Sequence, residues 1–181
     1  FTDVGSLTGT GTLTGINATS AWAVSSIGGT YTSTNALTYS GFTTLQGGSA
    51  VATFTLASGV NFAGSIDGAG GTDELKATDG TNVWTSSAAN AGTFNTNTVF
   101  SNVETLTGGS GSDSLVGTGG VYHFTAIDSG TYNGMSWSSV DTVTDSGGGT
   151  FIGDFGSQLS GPLSGLGATT LSGIITAATM Q

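Results

Sequence analysis

A short phrase recurs four times in this sequence and constrains its fold more than any other feature. Each copy has an aromatic residue, an apolar residue three positions on, another apolar residue three further, and then a polar residue and a turn. The copies begin at Phe1, Tyr39, Phe100 and Trp137. The second interval is much longer than the first and the third, so it holds one unit plus an insert. A period of this length predicts a repeat architecture.

A second aromatic residue precedes three of the copies, at Trp22, Trp84 and Tyr122. A Gly-Thr-aromatic turn lies between the two aromatics, so turns recur about every 20 residues, which is the size of one solenoid coil. A single coil cannot bury its apolar side chains alone, but stacked coils can. We therefore predict an all-β, parallel β-solenoid with rungs of about 20 residues, in which equivalent aromatics form columns and each phrase contains a corner. The alternative is an antiparallel β-sandwich, whose short strands also recur regularly.

The composition supports an ordered β protein. There are 33 glycines, one proline and only 7% charged residues, yet 36% of the residues are hydrophobic, with nine Phe, four Tyr and three Trp. Disordered segments lack such aromatic content, and frequent glycine disfavours helices. We assign residues 1–155 to the solenoid repeats, with an extra rung within about 57–79, and residues 156–181, which hold the single proline, to a C-terminal cap or subunit-contact segment.

The charge balance excludes several classes of partner. The net charge is −10, and Lys76 is the single basic residue apart from His123. Nucleic-acid binding needs cations against phosphate, so we exclude it, and anionic lipid surfaces are unfavourable for the same reason. No apolar run is long enough for a membrane span. Uncompensated acids in a β-rich chain instead indicate divalent cations or a strongly hydrated surface.

One glycine-rich nonapeptide is intact. Residues 108–116, GGSGSDSLV, fit the pattern GGxGxDxUx at every defined position, and residues 68–76, GAGGTDELK, fit it with alanine as the second residue. These segments resemble the calcium-binding repeats of RTX toxins and adhesins. Residues 1–153 more broadly resemble repeat segments of very large secreted bacterial adhesin-like proteins, which share the line aromatic-x-x-V-E-x-L-T-G-G.

The resemblance implies calcium as a cofactor. Asp113 would be a carboxylate ligand with backbone oxygens around Gly108, Ser110 and Gly111, and Asp73 would act in the same way near Gly70 and Gly71. Calcium requires about six or more oxygen ligands, and RTX sites are built between neighbouring coils. The two motifs here begin at positions 68 and 108, farther apart than one predicted coil. The alternative is therefore that both are metal-free Gly/Asp turns.

Other candidate sites are weaker. His123 lies in an alternating run and is predicted to face outward from a strand. The carboxylates of Asp67, Asp73, Glu74 and Asp79 could form a glycosidase pair, but such clusters in glycine loops are more typical of turns or ion ligands. We therefore expect no enzyme. The run from Leu7 to Thr14 has regularly spaced threonines, as ice-binding solenoids do.

The sequence thus predicts a structural or adhesive segment of a secreted, extracellular bacterial surface protein. It begins inside a repeat phrase without an initiator methionine, so we expect a mature or excised piece of a longer chain. Its expected partners are further copies of itself, stacked head to tail into a filament, or the continuation of a longer chain, and a surface glycan is a further candidate. The alternatives are a carbohydrate- or ice-binding module on the same fold and, last, a polysaccharide-active enzyme.

Overall fold

The structure is a computed structural model that describes residues 4–165, 170–173 and 176–180. Within these residues the chain forms 22 β-strands and no helix, and so none that could span a membrane. The strands are β1 (Ser6–Thr8), β2 (Thr12–Thr14), β3 (Ser20–Val24), β4 (Gly28–Thr32), β5 (Ala36–Ser40), β6 (Thr44–Gln46), β7 (Ala52–Leu56), β8 (Ser65–Asp67), β9 (Glu74–Ala77), β10 (Asn82–Ala88), β11 (Ala91–Phe94), β12 (Thr98–Ser101), β13 (Thr105–Thr107), β14 (Asp113–Gly117), β15 (Val121–Ala126), β16 (Ser129–Tyr132), β17 (Met135–Ser138), β18 (Thr142–Asp145), β19 (Thr150–Gly153), β20 (Gln158–Gly165), β21 (Thr170–Gly173) and β22 (Thr176–Met180).

The strands form two sheets, and the chain passes between them alternately. Sheet A has 12 strands in the order β1-β5-β4-β3-β7-β9-β13-β17-β16-β15-β19-β21. Sheet B has 10 strands in the order β2-β6-β8-β12-β11-β10-β14-β18-β20-β22. Strands on successive visits to a sheet pair in parallel, which makes the fold a β-solenoid as predicted.

Simple coils have the predicted length. Thr44 of β6 pairs with Ser65 of β8, and Val143 of β18 pairs with Leu163 of β20. Other parallel partners are much farther apart in the sequence, such as Ser6 of β1 and Thr38 of β5. The predicted rung length therefore describes only part of the chain.

Three antiparallel meanders account for the longer spacings. The first meander is β3-β4-β5, the second is β10-β11-β12, and the third is β15-β16-β17. In each one the first strand leaves a gap of two strands between itself and the previous strand of that sheet. The next two strands then fill this gap by antiparallel pairing. The turn between β16 and β17 shows why the sequence permits this, since Asn133 and Gly134 both have left-handed φ values, 48° and 87°. An Asn-Gly pair in that conformation makes a tight hairpin turn.

The repeated phrase begins in the last strand of each described meander. Tyr39, Phe100 and Trp137 lie in β5, β12 and β17, and Phe1 lies outside the described residues. Two positions later the chain leaves the sheet at a residue with positive φ, namely Gly41, Asn102 or Ser139. The next apolar residue then lies at the corner, and the last one enters the opposite sheet. The predicted corner inside the phrase is thus confirmed.

The core is aromatic, but its contacts differ from the predicted columns. Trp22, Trp84 and Tyr122 are all buried, yet Trp84 lies in sheet B and the other two lie in sheet A. They cannot form one column. Rings instead contact one another within a meander, as the tilted pair Trp22 and Tyr31 does at 4.5 Å between centroids, or stack on the next coil, as Trp22 does with Phe54 at 5.4 Å. The prediction failed because a sequence period does not say which sheet a strand enters.

The predicted C-terminal segment is described in part. Strands β20, β21 and β22 continue both sheets beyond residue 157. Residues 166–169, 174–175 and 181 lie outside the described residues. A role for this segment as a cap or subunit contact stays a prediction.

Candidate functional site

The two glycine loops predicted to bind calcium lie at opposite edges of the stack. The Asp113 loop, residues 108–113, leads from β13 in sheet A to β14 in sheet B. The Asp73 loop, residues 68–73, leads from β8 in sheet B to β9 in sheet A. The structure therefore does not bring Asp113 and Asp73 together.

The Asp113 carboxylate points inward, and both of its oxygens accept hydrogen bonds from N–H donors. Asp113 is buried, with 0% of its surface exposed. Its Oδ1 accepts hydrogen bonds from the backbone nitrogen of Asn82 at 3.2 Å and from Asn82 Nδ2 at 2.8 Å. Its Oδ2 accepts a hydrogen bond from the Gly109 nitrogen at 3.0 Å. The carboxylate thus joins its own loop to the start of β10.

The other predicted ligands of this loop hold it against neighbouring coils. Gly108 donates to the Ser138 carbonyl at 2.9 Å. Ser110 donates to the Thr78 carbonyl at 3.0 Å, and its own carbonyl accepts from the Gly80 nitrogen at 3.1 Å. The backbone oxygen that calcium would need at Ser110 is therefore already hydrogen-bonded.

The Asp73 carboxylate accepts one hydrogen bond where the Asp113 carboxylate accepts three. Asp73 is 1% exposed, and its Oδ1 accepts a hydrogen bond from the Ala52 nitrogen at 2.6 Å. Its Oδ2 is buried without a hydrogen-bond partner. Burial raises the pKa of Asp73 to about 6, and the charges of Glu104 and Asp67 act in the same direction, against the lowering effect of the Ala52 hydrogen bond.

A nearby acid explains why Asp73 Oδ2 has no hydrogen-bond partner. Ala69 occupies the position of Gly109, but its N–H donates to Asp67 Oδ1 at 3.0 Å instead of reaching Asp73. The residue that corresponds to Asp67 in the other loop is Thr107, which has no carboxylate. Burial opposes ionisation of Asp67, but hydrogen bonds from Asn102, Gln46 and Ala69 outweigh it and hold the pKa of Asp67 below its ordinary value.

These donors decide how well calcium fits. A cation needs free oxygen lone pairs that converge on it, whereas N–H groups converge on Asp113. In this arrangement the Asp113 carboxylate therefore does not fit a calcium ligand. Asp73 keeps one free oxygen, and calcium there stays a prediction. Across residues 4–165 and the two described segments beyond, no group of three acidic, histidine or cysteine side chains is placed to hold a metal ion.

Asp145 is a third buried carboxylate, and it is not among the site residues predicted from the sequence. It occupies the position that Gly108 has in the preceding copy of the phrase. It accepts hydrogen bonds from the Tyr122 hydroxyl at 2.9 Å and from the nitrogens of Gly119, Gly147 and Gly149 at 2.6, 3.0 and 2.6 Å. Burial opposes its ionisation, but these four donors outweigh burial and lower the pKa of Asp145. The signal was an aspartate followed directly by Ser-Gly-Gly-Gly.

The acids considered for hydrolysis each accept hydrogen bonds from other parts of the stack. Asp73 and Asp79 flank opposite ends of β9, while Glu74 faces outward from it. Thr107 donates to Glu74 Oε1 at 2.6 Å, so this carboxylate ties neighbouring strands together. His123 faces outward as predicted, and its Nε2 lies 2.8 Å from Asp154 Oδ1.

The outer face of sheet A carries two regular files of mostly hydroxyl side chains. Strand register places the first file as Thr38, Thr30, Ala23, Thr55, Lys76, Thr107, Ser138 and Ser129. The second file is Thr32, Ala21, Thr53, Glu74, Thr105, Ser136, Thr131 and His123. Neither file contains an aromatic residue.

Comparison with known proteins adds no assignment. No protein family model matches the sequence, and searches of curated proteins and of solved structures return no significant match. The chain is therefore characterised by its own geometry, which is a two-sheet β-solenoid with buried carboxylates at its corners.

Proposed function

We propose that this chain is a structural, adhesive segment of a secreted bacterial surface protein and that it acts as a stiff rod. One observation carries the proposal, namely that strands of the two sheets stack without interruption over a single aromatic core. Strands stack about 4.8 Å apart, so the 12 strands of sheet A extend over about 50 Å. Each coil transmits load to the next through continuous backbone hydrogen bonds.

The surface chemistry supports an extracellular role. The chain carries a net charge of −10 and no cysteine, and its outward positions are rich in threonine and serine. Such a surface is strongly hydrated and needs no reducing compartment. The resemblance to adhesin-like repeats also supports secretion and adhesion.

Further copies, or the continuation of a longer chain, are the proposed partners. Strands β1 and β21 border sheet A and point in the same direction. Between them the strands pair in parallel except inside the meanders, and the two antiparallel pairings of each meander together restore the direction. A strand that borders a sheet offers unpaired backbone groups to another strand. A second copy would extend the sheet in parallel, as β5 does on β1.

A pulling experiment tests the rod. The chain is held at its two ends and stretched in a single-molecule force measurement. We expect it to keep its folded length until it yields and then to unfold in successive steps, because each coil contacts only its neighbours. Gradual extension at low force would contradict the proposal. Immunogold labelling of cells that produce the protein tests the surface location separately.

The second candidate function is binding to an ordered surface such as ice. The observation that favours it is the pair of hydroxyl files on sheet A, with a regular spacing of about 4.8 Å between strands. Replacing Thr53 and Thr105 with lysine would disrupt this face, whereas Thr93→Lys on sheet B is the matched control. Ice recrystallisation inhibition that is lost only in the sheet A variant would support this function, and no inhibition by the unmodified chain would exclude it.

A further inference from the structure

We propose that the Asp113 loop is a metal-independent clamp at the place where similar repeats would bind calcium. Asp113 joins three successive visits to sheet B, through its buried carboxylate to β10 and through its backbone to the corner before β18. The inference concerns how the coils are held together, and it stands whether or not the chain serves as a surface rod.

The Asp113 carboxylate is already surrounded by N–H donors. A carboxylate offers about four lone-pair sites, and three N–H groups from Asn82 and Gly109 already occupy sites on both oxygens of Asp113. Each N–H directs the positive end of its dipole at the carboxylate. A calcium ion at this position would have to displace these donors and leave them buried without partners, which is unfavourable.

The Asp113 loop is packed closely against neighbouring coils. Calcium needs 6–8 oxygen ligands at about 2.3–2.6 Å. A side-chain carbon added to Gly108 would lie 1.8 Å from the Ser139 carbonyl oxygen, and one added to Gly109 would lie 1.4 Å from the Thr78 carbonyl oxygen. The loop is thus packed directly against its neighbours on both sides. Asp113 itself is fully buried, so the open polar cavity that Gly109, Ser110, Gly111 and Asp141 line beside the loop does not reach its carboxylate.

Asp113 is also hydrogen-bonded to the following coil. The Asp113 nitrogen donates to Asp141 Oδ2 at 2.8 Å, and the Asp141 nitrogen donates to the Asp113 carbonyl at 2.9 Å. Asp113 therefore connects β10 on one side to the corner before β18 on the other. Hydrogen bonds to charged groups are stronger than those between neutral groups. The clamp supplies the cross-coil link that a metal ion would otherwise provide.

Amide hydrogen exchange on the full chain tests the clamp. The reporters are the amides of Asn82 and Gly109, because both donate to Asp113. We expect both to be protected in EDTA and their exchange rates to change less than about twofold when calcium is added in excess. Fast exchange in EDTA that calcium suppresses would overturn the proposal.

Variants separate the clamp from general effects of charge. Asp113→Asn places an amide group against N–H donors, so we expect exchange at Asn82 and Gly109 to accelerate about tenfold or more, with or without calcium. The matched control is Asp154→Asn, which also removes one acid but an exposed one, and which should leave both amides unchanged. Equal exchange in Asp113→Asn and the unmodified chain would overturn the clamp.

A second variant covers the case in which Asp113→Asn does not fold. Asn82→Ala removes only the side-chain donor and keeps the backbone bond at 3.2 Å. We expect a smaller loss of protection at Gly109 that calcium does not reverse. Recovery of protection on adding calcium would show that the loop binds the ion and would overturn the proposal.

Discussion

At the scale of single residues, the corners contain buried carboxylates that respond to pH in opposite directions. Asp145 has four hydrogen-bond donors and a lowered pKa, whereas Asp73 has one backbone donor and a raised pKa. Burial opposes ionisation of both groups. Four donors outweigh burial at Asp145, whereas the single donor at Asp73 does not, and the charges of Glu104 and Asp67 add to the effect of burial there. Ionisation of Asp145 therefore stabilises its corner, whereas ionisation of Asp73 destabilises its corner.

Replacing Asp73 with asparagine is expected to stabilise the protein at neutral pH. The folded pKa of about 6 lies above the ordinary value of 3.8, so the stability that protonation contributes is complete below about pH 4 and is lost as the pH rises through 6. Asp73→Asn removes this loss. Urea unfolding midpoints in EDTA should therefore favour the variant at pH 7.5 and converge with the unmodified chain at pH 4. A less stable variant at pH 7.5 would contradict the assignment.

Replacing Asp145 with asparagine is expected to destabilise the protein by about 2–3 kcal/mol at pH 7, because four donors then share one weaker acceptor. Its folded pKa is lowered, so this contribution is present above the ordinary value and is lost as the pH falls through the folded pKa. The difference between variant and unmodified chain should therefore shrink in acid. Asp154→Asn, at an exposed position, serves as the control in the same urea titrations.

Gly109 is expected to tolerate no side chain. A methyl group there would lie 1.4 Å from the Thr78 carbonyl oxygen, so the neighbouring coil would have to move. We expect Gly109→Ala to lower the free energy of unfolding by about 3 kcal/mol or more. Gly5→Ala is the matched control, since no atom lies within 4 Å of the added carbon. Equal thermal stability of the two variants would contradict the packing.

The sequence was sufficient to locate these loops but not to orient their acids. Glycine spacing identified both Asp113 and Asp73. What the carboxylates contact depends on Ala52 and Asn82, which lie a coil or more earlier in the chain, and pattern matching does not align them. Asp67 accepts the Ala69 N–H that would otherwise be free to reach Asp73. It directly precedes the matched segment and so lies outside the defined positions of the motif.

At the scale of elements, the meander followed by its corner is the repeating unit. Its three aromatic positions were all visible in the sequence, as Trp22, Tyr31 and Tyr39 in the first copy. Strand alternation is the same in parallel and antiparallel sheets, so the pattern could not show that these strands fold back on one another. The prediction of a parallel solenoid was correct. The antiparallel hairpins of the meanders, however, were predicted to be separate rungs.

Trp22 is expected to be the most sensitive aromatic of the first meander. Its ring lies within 5.8 Å of Tyr31, Tyr39 and Phe54, so it joins the meander to the next coil. Trp22→Ala should cost about 3–5 kcal/mol, as truncation of large buried aromatics does. Trp22→Phe should cost much less, since the indole Nε1 has no hydrogen-bond partner to lose. Denaturant titrations followed by circular dichroism measure both effects, and equal losses would contradict the packing.

At the scale of the whole molecule, the number of stacked strands predicts a dimension. Twelve strands in sheet A correspond to a stack of about 50 Å, so small-angle scattering of a monomer should give a longest dimension of about 60 Å once side chains and loops are included. A nearly spherical particle would contradict the stack. A dimension that doubles with concentration would indicate end-to-end association.

The alternation of meanders between sheets limits how such a chain can grow. Each meander adds two extra strands to one sheet only. Sheet A has 12 strands and sheet B has 10, because sheet A holds two meanders and sheet B holds one. Duplicating a segment with a single meander would displace one wall of the rod against the other by about 10 Å. Gene duplications that lengthen this rod without shearing it must therefore copy meanders in pairs, one for each wall.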